Sequence, residues 1–253
     1  MEKIFDTHAH YDDEDFDTDR EQVLNCLFDG SVCGLINCGV DFKTSAFSLE
    51  LAKKYDGIYA ACGFHPHEIS DICDDDFDEL VKLLNTPKCI AVGEIGLDYH
   101  YDFCPRELQI EVLEKQLQIA NELDLPVIIH DRESHEDTLR LLTKYQPRGV
   151  VHCFSGSVEM ANEVIKLCMY IGLGGAVTFK NAKKPVQVAQ AIPLDRLLLE
   201  TDAPYMTPVP FRGKRCTSDL ISYTSEKIAQ LREISPDEVL VANIANAKKL
   251  FNI

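Results

Sequence analysis

The chain has 253 residues, 45% of them hydrophobic, and a formal net charge of −17 from 25 basic and 42 acidic residues. That length and apolar fraction fit one globular domain with a sizeable core, about the size of an α/β barrel. The acidic balance argues against a broad electrostatic grip on nucleic acid, although divalent cations held in a site would reverse the local sign. No apolar run reaches the roughly 18 residues of a membrane span. Met1-Glu2-Lys3 leads directly into a strand, without the basic start and apolar core of a signal peptide. The ten cysteines form no Cys-x-x-Cys pair, and many sit inside apolar runs. They are expected to be reduced thiols of a cytoplasmic protein, not a disulfide framework or a cysteine zinc site.

Strand and helix signals alternate along the whole chain. A first strand is expected over 3–8, then an acidic loop and a helix over 17–28. A strand over 33–39 leads to a helix ending near 54, and a strand over 58–63 runs into Phe64-His65-Pro66-His67. After a helix over 75–84, Cys89-Ile90-Ala91-Val92-Gly93-Glu94 forms a fourth strand, with Asp98 and Tyr99 placed beyond its end. The longest helix is expected over 105–122, and Pro126 opens a strand ending at His130. A helix over 134–145, a strand over 149–153 and a helix from Ser157 to near Cys168 follow. Then come a strand over 169–174, a helix from after Lys184 to Ile192 and a strand over 196–201. A loop rich in proline and basic residues leads to a helix over 219–231. Ser235-Pro236-Asp237-Glu238 combines a capping Ser, Pro at the first helical position and Glu three after the cap, and so opens a final helix. Eight βα units and a terminal helix predict a single (β/α)8 barrel domain over 1–253 with an extra C-terminal helix.

Five of these strands end in imidazole or carboxylate: at His8 and His10, Glu94, His130, His152 and Asp202. Charge at the end of a buried strand costs free energy unless something pairs with it. Five such ends at one mouth of a parallel barrel are the pattern of a metal site. His8 and His10 are two apart, so a strand turns both imidazoles to one face. Glu94 has two oxygens and can bridge two cations, with His130 and His152 serving the second. Asp202 is placed both as a ligand and as a base for the attacking water. The set would hold one or two divalent cations, with the histidines suiting Zn²⁺ or Mn²⁺ and the carboxylates also allowing Mg²⁺.

Around this set lie residues with rival readings. His65 is expected on the rim, in phosphate contact or proton transfer; His67 beside it is as readily a loop imidazole bonded to backbone. Arg132 could hold a phosphate or pair with Glu133 or Glu136. Glu200 has the parity of Asp202 but is left out of the ligands, and Asp98 could orient a ligand histidine. Lys214 and Arg215 are candidates for the backbone of a nucleic acid. Asp13-x-Asp15-x-Asp17 lacks the Gly and Glu of a calcium loop and reads as a solvated turn. Gly172-Leu173-Gly174-Gly175 lacks the Lys-Ser/Thr of a phosphate loop, and Ser155-Gly156-Ser157 is no nucleophile elbow.

Asp6-Thr7-His8-Ala9-His10, Gly63-Phe64-His65-Pro66-His67, Gly93-Glu94-Ile95-Gly96-Leu97-Asp98-Tyr99, Pro126-Val127-Ile128-Ile129-His130, His152-Cys153-Phe154-Ser155-Gly156 and Glu200-Thr201-Asp202-Ala203-Pro204-Tyr205 together resemble the TatD family of metal-dependent deoxyribonucleases. The resemblance runs in order along nearly the whole chain. It implies a distorted β/α barrel and metal-dependent hydrolysis of DNA, usually from the 3′ end, and the expected protein is a barrel hydrolase with two divalent cations. By position it carries ligand roles onto His8, His10, Glu94, His130, His152 and Asp202. Related amidohydrolase-like barrels often place a modified Lys where Glu94 stands. After Arg212-Gly213-Lys214-Arg215 this chain continues Cys216-Thr217-Ser218 where family members often have Asn-Glu-Pro, a departure that bears on substrate fit. The rivals to DNA cleavage are an amidase or esterase on the same metals, such as a deacylase of D-aminoacyl-tRNA, and a non-catalytic scaffold.

Overall fold

The computed structural model describes residues 3–253. Eight parallel strands pair in chain order: β1 (Ile4–Ala9), β2 (Val32–Cys38), β3 (Ile58–Cys62), β4 (Cys89–Asp98), β5 (Val127–Arg132), β6 (Gly149–Val151), β7 (Tyr170–Leu173) and β8 (Leu197–Leu199). They are rich in Val, Ile, Leu and Ala and mostly buried on both faces, as strands covered by helices must be. The helices between them are α1 (Arg20–Asp29), α2 (Phe42–Lys54), α3 (Asp74–Leu84), α4 (Arg106–Glu122), α5 (His135–Tyr145), α6 (Val158–Lys166) and α7 (Lys183–Ala191); α8 (Ile221–Arg232) and α9 (Pro236–Phe251) close the chain. Several helices start on the residues expected to start them. Ser157 accepts from the Met160 amide at 3.3 Å to open α6, and Ser235 and Glu238 form the capping box of α9.

Apolar side chains fill two layers. One lies between strands and helices. The other takes a residue from every strand, such as Phe5, Ile36, Ile128 and Leu198, and is joined by Ala247, Leu250 and Phe251 of α9. The terminal helix therefore plugs one end of the barrel and leaves the other end for chemistry.

The ladder runs from β1 to β8 but does not close between them, which is the distortion of this barrel. One isolated bridge joins Ala9 and Ala203, where the His10 amide donates to Ala203 at 2.7 Å and the Asp202 amide to His8 at 2.9 Å. Side chains supply the other rungs. Thr7 Oγ1 donates to the Leu199 carbonyl at 3.0 Å, while Asn243 on α9 accepts from the Leu199 amide and donates to the Phe5 carbonyl, each at 2.8 Å. Buried backbone groups must find such partners.

Several boundaries differ from the sequence reading: β6 and β8 stop at Val151 and Leu199, so His152 and Asp202 lie just past their strands, and β5 runs on to Arg132. β4 continues to Asp98, so that residue belongs to the strand and not to the loop beyond it. Gly96 permits this: its φ of 156° and its closeness to His130 leave no room for a Cβ. α6 stops at Lys166, two residues short of the expected end, where Cys168 turns to a left-handed φ of 63°. Among the described residues, no helix is long and apolar enough to cross a membrane.

Candidate metal centre

At the C-terminal end of the barrel the six expected ligands converge. Glu94, nearly buried, divides its two oxygens between two sides. Oε2 lies 3.2 Å from His8 Nε2 and 3.4 Å from His10 Nε2. Oε1 lies 2.7 Å from His152 Nε2 and 2.9 Å from His130 Nδ1. Asp202 Oδ1 joins the first side, 3.6 Å from His8 Nε2 and 3.5 Å from His10 Nε2. Ligand atoms of His8, His10 and Glu94 lie within 4.8 Å of one another, as do those of His8, His152 and Asp202 and those of His65, Glu94 and His130.

Hydrogen bonds behind the rings decide which nitrogens face inward. His10 Nδ1 donates to the Cys38 carbonyl at 2.8 Å, which frees Nε2. His130 Nε2 donates to Asp98 Oδ2 at 3.1 Å, which frees Nδ1. Asp98 thus does what the sequence suggested, and His67 Nε2 donates to the same oxygen at 2.9 Å. The freed lone pairs face carboxylate oxygens and one another, with His8 Nε2 and His10 Nε2 only 3.0 Å apart. Acceptors packed against acceptors are repulsive unless cations lie between them, and imidazole with carboxylate is a donor set that fits a divalent ion. His8, His10, Glu94 and Asp202 would hold one such ion and Glu94, His130 and His152 a second.

The electrostatics agree. Burial pushes the Glu94 carboxyl up, but the imidazoles of His152, His8 and His65 outweigh it and hold Glu94 well below the usual carboxylate range. Burial also opposes ionisation of Asp202, and its bond to His10 reverses that and keeps the acid below its ordinary value. Burial would lower His130, yet Asp98 and Glu94 lift it to about 9, so without a cation its Nδ1 holds a proton toward Glu94 Oε1 in the place a cation would take.

His65 behaves differently from the ligands. Its Nε2 is 3.7 Å from Glu94 Oε1, close enough to coordinate. Its Nδ1, however, accepts the His67 amide at 3.2 Å. Burial and the nearby His130 hold the ring well below its usual pKa, so it is neutral and carries its proton on Nε2. A hydrogen-bond donor therefore points at the centre.

The centre lies in a cleft of about 1110 Å³, above the usual range of about 300–1,000 Å³ for small-ligand pockets. Arg132 lines it, paired with neither Glu133 nor Glu136; its guanidinium lies 4.7 Å over the Tyr101 ring, while Glu133 bonds His100. Lys214 and Arg215 are not brought to this lining. Arg215 instead grips Asp19 with both guanidinium nitrogens at 2.7 and 2.8 Å, and Lys214 lies over Phe211. Glu200 pairs with no barrel cation: its Oε1 accepts the Cys153 amide, and burial raises its carboxyl to about 8. The departing loop residues work beneath the site. Cys216 is buried, and Ser218 Oγ donates to Asp6 Oδ2 at 2.7 Å.

Asp6 escaped the sequence reading. It accepts from the His8 amide at 3.2 Å and the Thr201 amide at 3.0 Å, tying the two ligand-bearing strands where the ladder is open. Phe5 beside it belongs to the inner layer and the register of β1 shifts between Asp6 and Ala9, so strand parity gave no signal for it.

A family model described as TatD related DNase matches residues 5–252. The chain is 43% identical over 253 residues to an uncharacterized metal-dependent hydrolase of Bacillus subtilis, YabD, covering 99% of each. It is 32% identical over 259 residues to the 3′-5′ ssDNA/RNA exonuclease TatD of Salmonella typhimurium, again covering 99% of each. The crystal structure of YjjV, a TatD homolog from Escherichia coli, matches with a TM-score of 0.93 at 35% identity, covering 99% of this chain and 98% of that one.

Proposed function

Because the chain belongs to the TatD related DNase family of metal-dependent hydrolases, we propose that it cleaves phosphodiester bonds of single-stranded DNA from the 3′ end with two divalent cations. The observation that carries the reading is the division of Glu94, whose two oxygens face separate imidazole sets at the floor of an open cleft. The named exonuclease among its relatives supplies the substrate class.

Bound divalent cations supply Lewis acidity and an attacking water of lowered pKa. The chain's own groups do the rest. Asp202, with a fifth of its side chain exposed, is the ligand carboxylate most open to the cleft. Held ionised by His10, it is placed to take the proton of the attacking water. His65 points its Nε2–H at the centre, where the neutral ring can donate a hydrogen bond to a phosphoryl or leaving oxygen. Arg132 offers a guanidinium to a phosphate at the cleft edge.

The test is release of mononucleotides from 3′-labelled single-stranded DNA by metal-stripped protein, then with Mg²⁺, Mn²⁺ or Zn²⁺, beside Glu94→Ala. Metal-dependent release that the variant lacks is the expected result. No release with any metal, from protein that binds two cations, would overturn the DNA reading and direct attention to ester and amide substrates, aminoacyl-tRNA first.

A further inference from the structure

Two exposed aromatic rings that stack on each other near the centre are neither ligands nor core. Tyr101 is 48% and Phe103 66% exposed, and their rings stack with centroids 5.3 Å apart and planes 24° from parallel. His67 packs edge-on against both, and Arg132 lies over Tyr101. Leaving such rings in water forgoes burial free energy, so exposed aromatics beside a site point to a ligand face.

The loop that carries them is built rigidly. Asp98 Oδ1 accepts the amides of His100 and Tyr101, each at 2.9 Å. Buried Cys104 donates to the His67 carbonyl at 3.9 Å, and Arg106 clamps Asp102 at 3.2 Å. Asp98 Oδ2 meanwhile holds His130 and His67. One carboxylate therefore fixes both a candidate ligand and the turn that presents the rings. Through His67, whose ring centroid is 6.3 Å from that of His130 and 4.8 Å from that of Phe103, the stack stands beside the second cation position.

Charge selects the occupant. The cleft lining includes Asp12, Asp13, Glu14 and Asp17, which repel phosphate where they cluster. Arg132 makes no hydrogen bond or ion pair with another described residue and stands on the aromatic side. A polyanion with flat bases fits that side, since stacking on aromatic rings beside a cation is how single strands are held without sequence preference.

We propose that Phe103 and Tyr101 form a base-stacking platform, with Arg132 taking the adjoining phosphate, that seats a nucleobase of the single-stranded substrate next to the scissile bond. This rests on the nuclease reading and adds a subsite to it.

The chain contains no tryptophan, so Phe103→Trp places a single fluorophore on the platform. Its emission in metal-loaded protein is expected to be quenched by a phosphorothioate thymidine octamer and not by an abasic octamer of equal charge. Phe103→Ala is expected to raise KM for the thymidine octamer about 10- to 100-fold relative to KM for the abasic one, and Phe103→Tyr to restore most of the difference. Equal quenching by both octamers, or an unchanged KM ratio in Phe103→Ala, would overturn the platform while leaving the nuclease standing. If the protein hydrolyses no nucleic acid, the nuclease reading falls, and the quenching comparison still decides whether the rings take a base.

Discussion

His65 and His152 face the same oxygen of Glu94, at 3.7 and 2.7 Å, and are set for different work. His65 has its far nitrogen occupied as an acceptor, so it reaches the centre with a proton. His65→Ala is therefore expected to lower kcat on DNA about 10²- to 10⁴-fold while calorimetry still counts two bound cations. Loss of one cation would make it a ligand instead. His152 has the opposite arrangement. Its Nδ1 has no hydrogen-bond partner, and neither has Glu200 Oε2, although Nδ1 lies only 3.9 Å from Glu200 Oε1. A buried orphan costs about 1–3 kcal/mol until it is paired. Gly172 makes room for the carboxyl, because a Cβ there would overlap it. Glu200 is thus placed to hold His152 in the orientation that a cation requires. Glu200→Ala should weaken binding of the second cation about 10- to 100-fold and leave the first unchanged, as read by calorimetric titration. Equal weakening of both would assign Glu200 a general structural role.

At the scale of elements, the open seam between β1 and β8 carries the consequences. These strands deliver His8, His10 and Asp202, yet they share no ladder, and Asn243 of α9 stands in for a rung. Asn243→Leu keeps the volume but strands the Leu199 amide and the Phe5 carbonyl, at a cost of about 2–4 kcal/mol. The expected fall in Tm is about 5–15 °C, with the melt of metal-free protein as the measurement; an unchanged Tm would show that the seam does not depend on this rung. The seam also marks where the sequence stops being legible. Alternating strand and helix signals are local, so the eight units and the capping box at Ser235 could be read directly. An asparagine on an amphipathic helix says nothing about which distant backbone it will satisfy. The pairing of Arg215 was hidden for the same reason, since its partner Asp19 is 196 residues away in the chain. β4 was read short because glycines at 93 and 96 resemble turn signals, whereas Gly96 marks a close approach of two strands.

Over the whole molecule, the convergence of the candidate ligands was legible because strand parity and strand ends are properties of sequence, and five ends repeat the same chemistry. Tyr101 and Phe103 were not, because aromatic residues in a turn give no sign of being left in water. The proposed platform gives an acidic chain one way to hold a polyanion. With a net charge of −17, attraction must come from bound cations and from a few side chains on one wall, such as Arg132 and Lys184. Counterion release then involves few phosphates. At about 0.7 of a logarithmic unit per phosphate for a single strand, one or two contacts predict that KM for an oligonucleotide rises only about 3- to 7-fold between 50 and 200 mM NaCl. A protein gripping the backbone with six to ten basic residues would lose about 10³- to 10⁵-fold on a duplex over the same range. Steady-state KM at four salt concentrations, with the cations held saturating, measures the slope. Arg132→Ala should flatten it by the share of one phosphate, because that residue alone connects the stacked rings to the charge of the strand. A steep slope that Arg132→Ala leaves intact would mean that the strand lies on a basic surface outside the cleft.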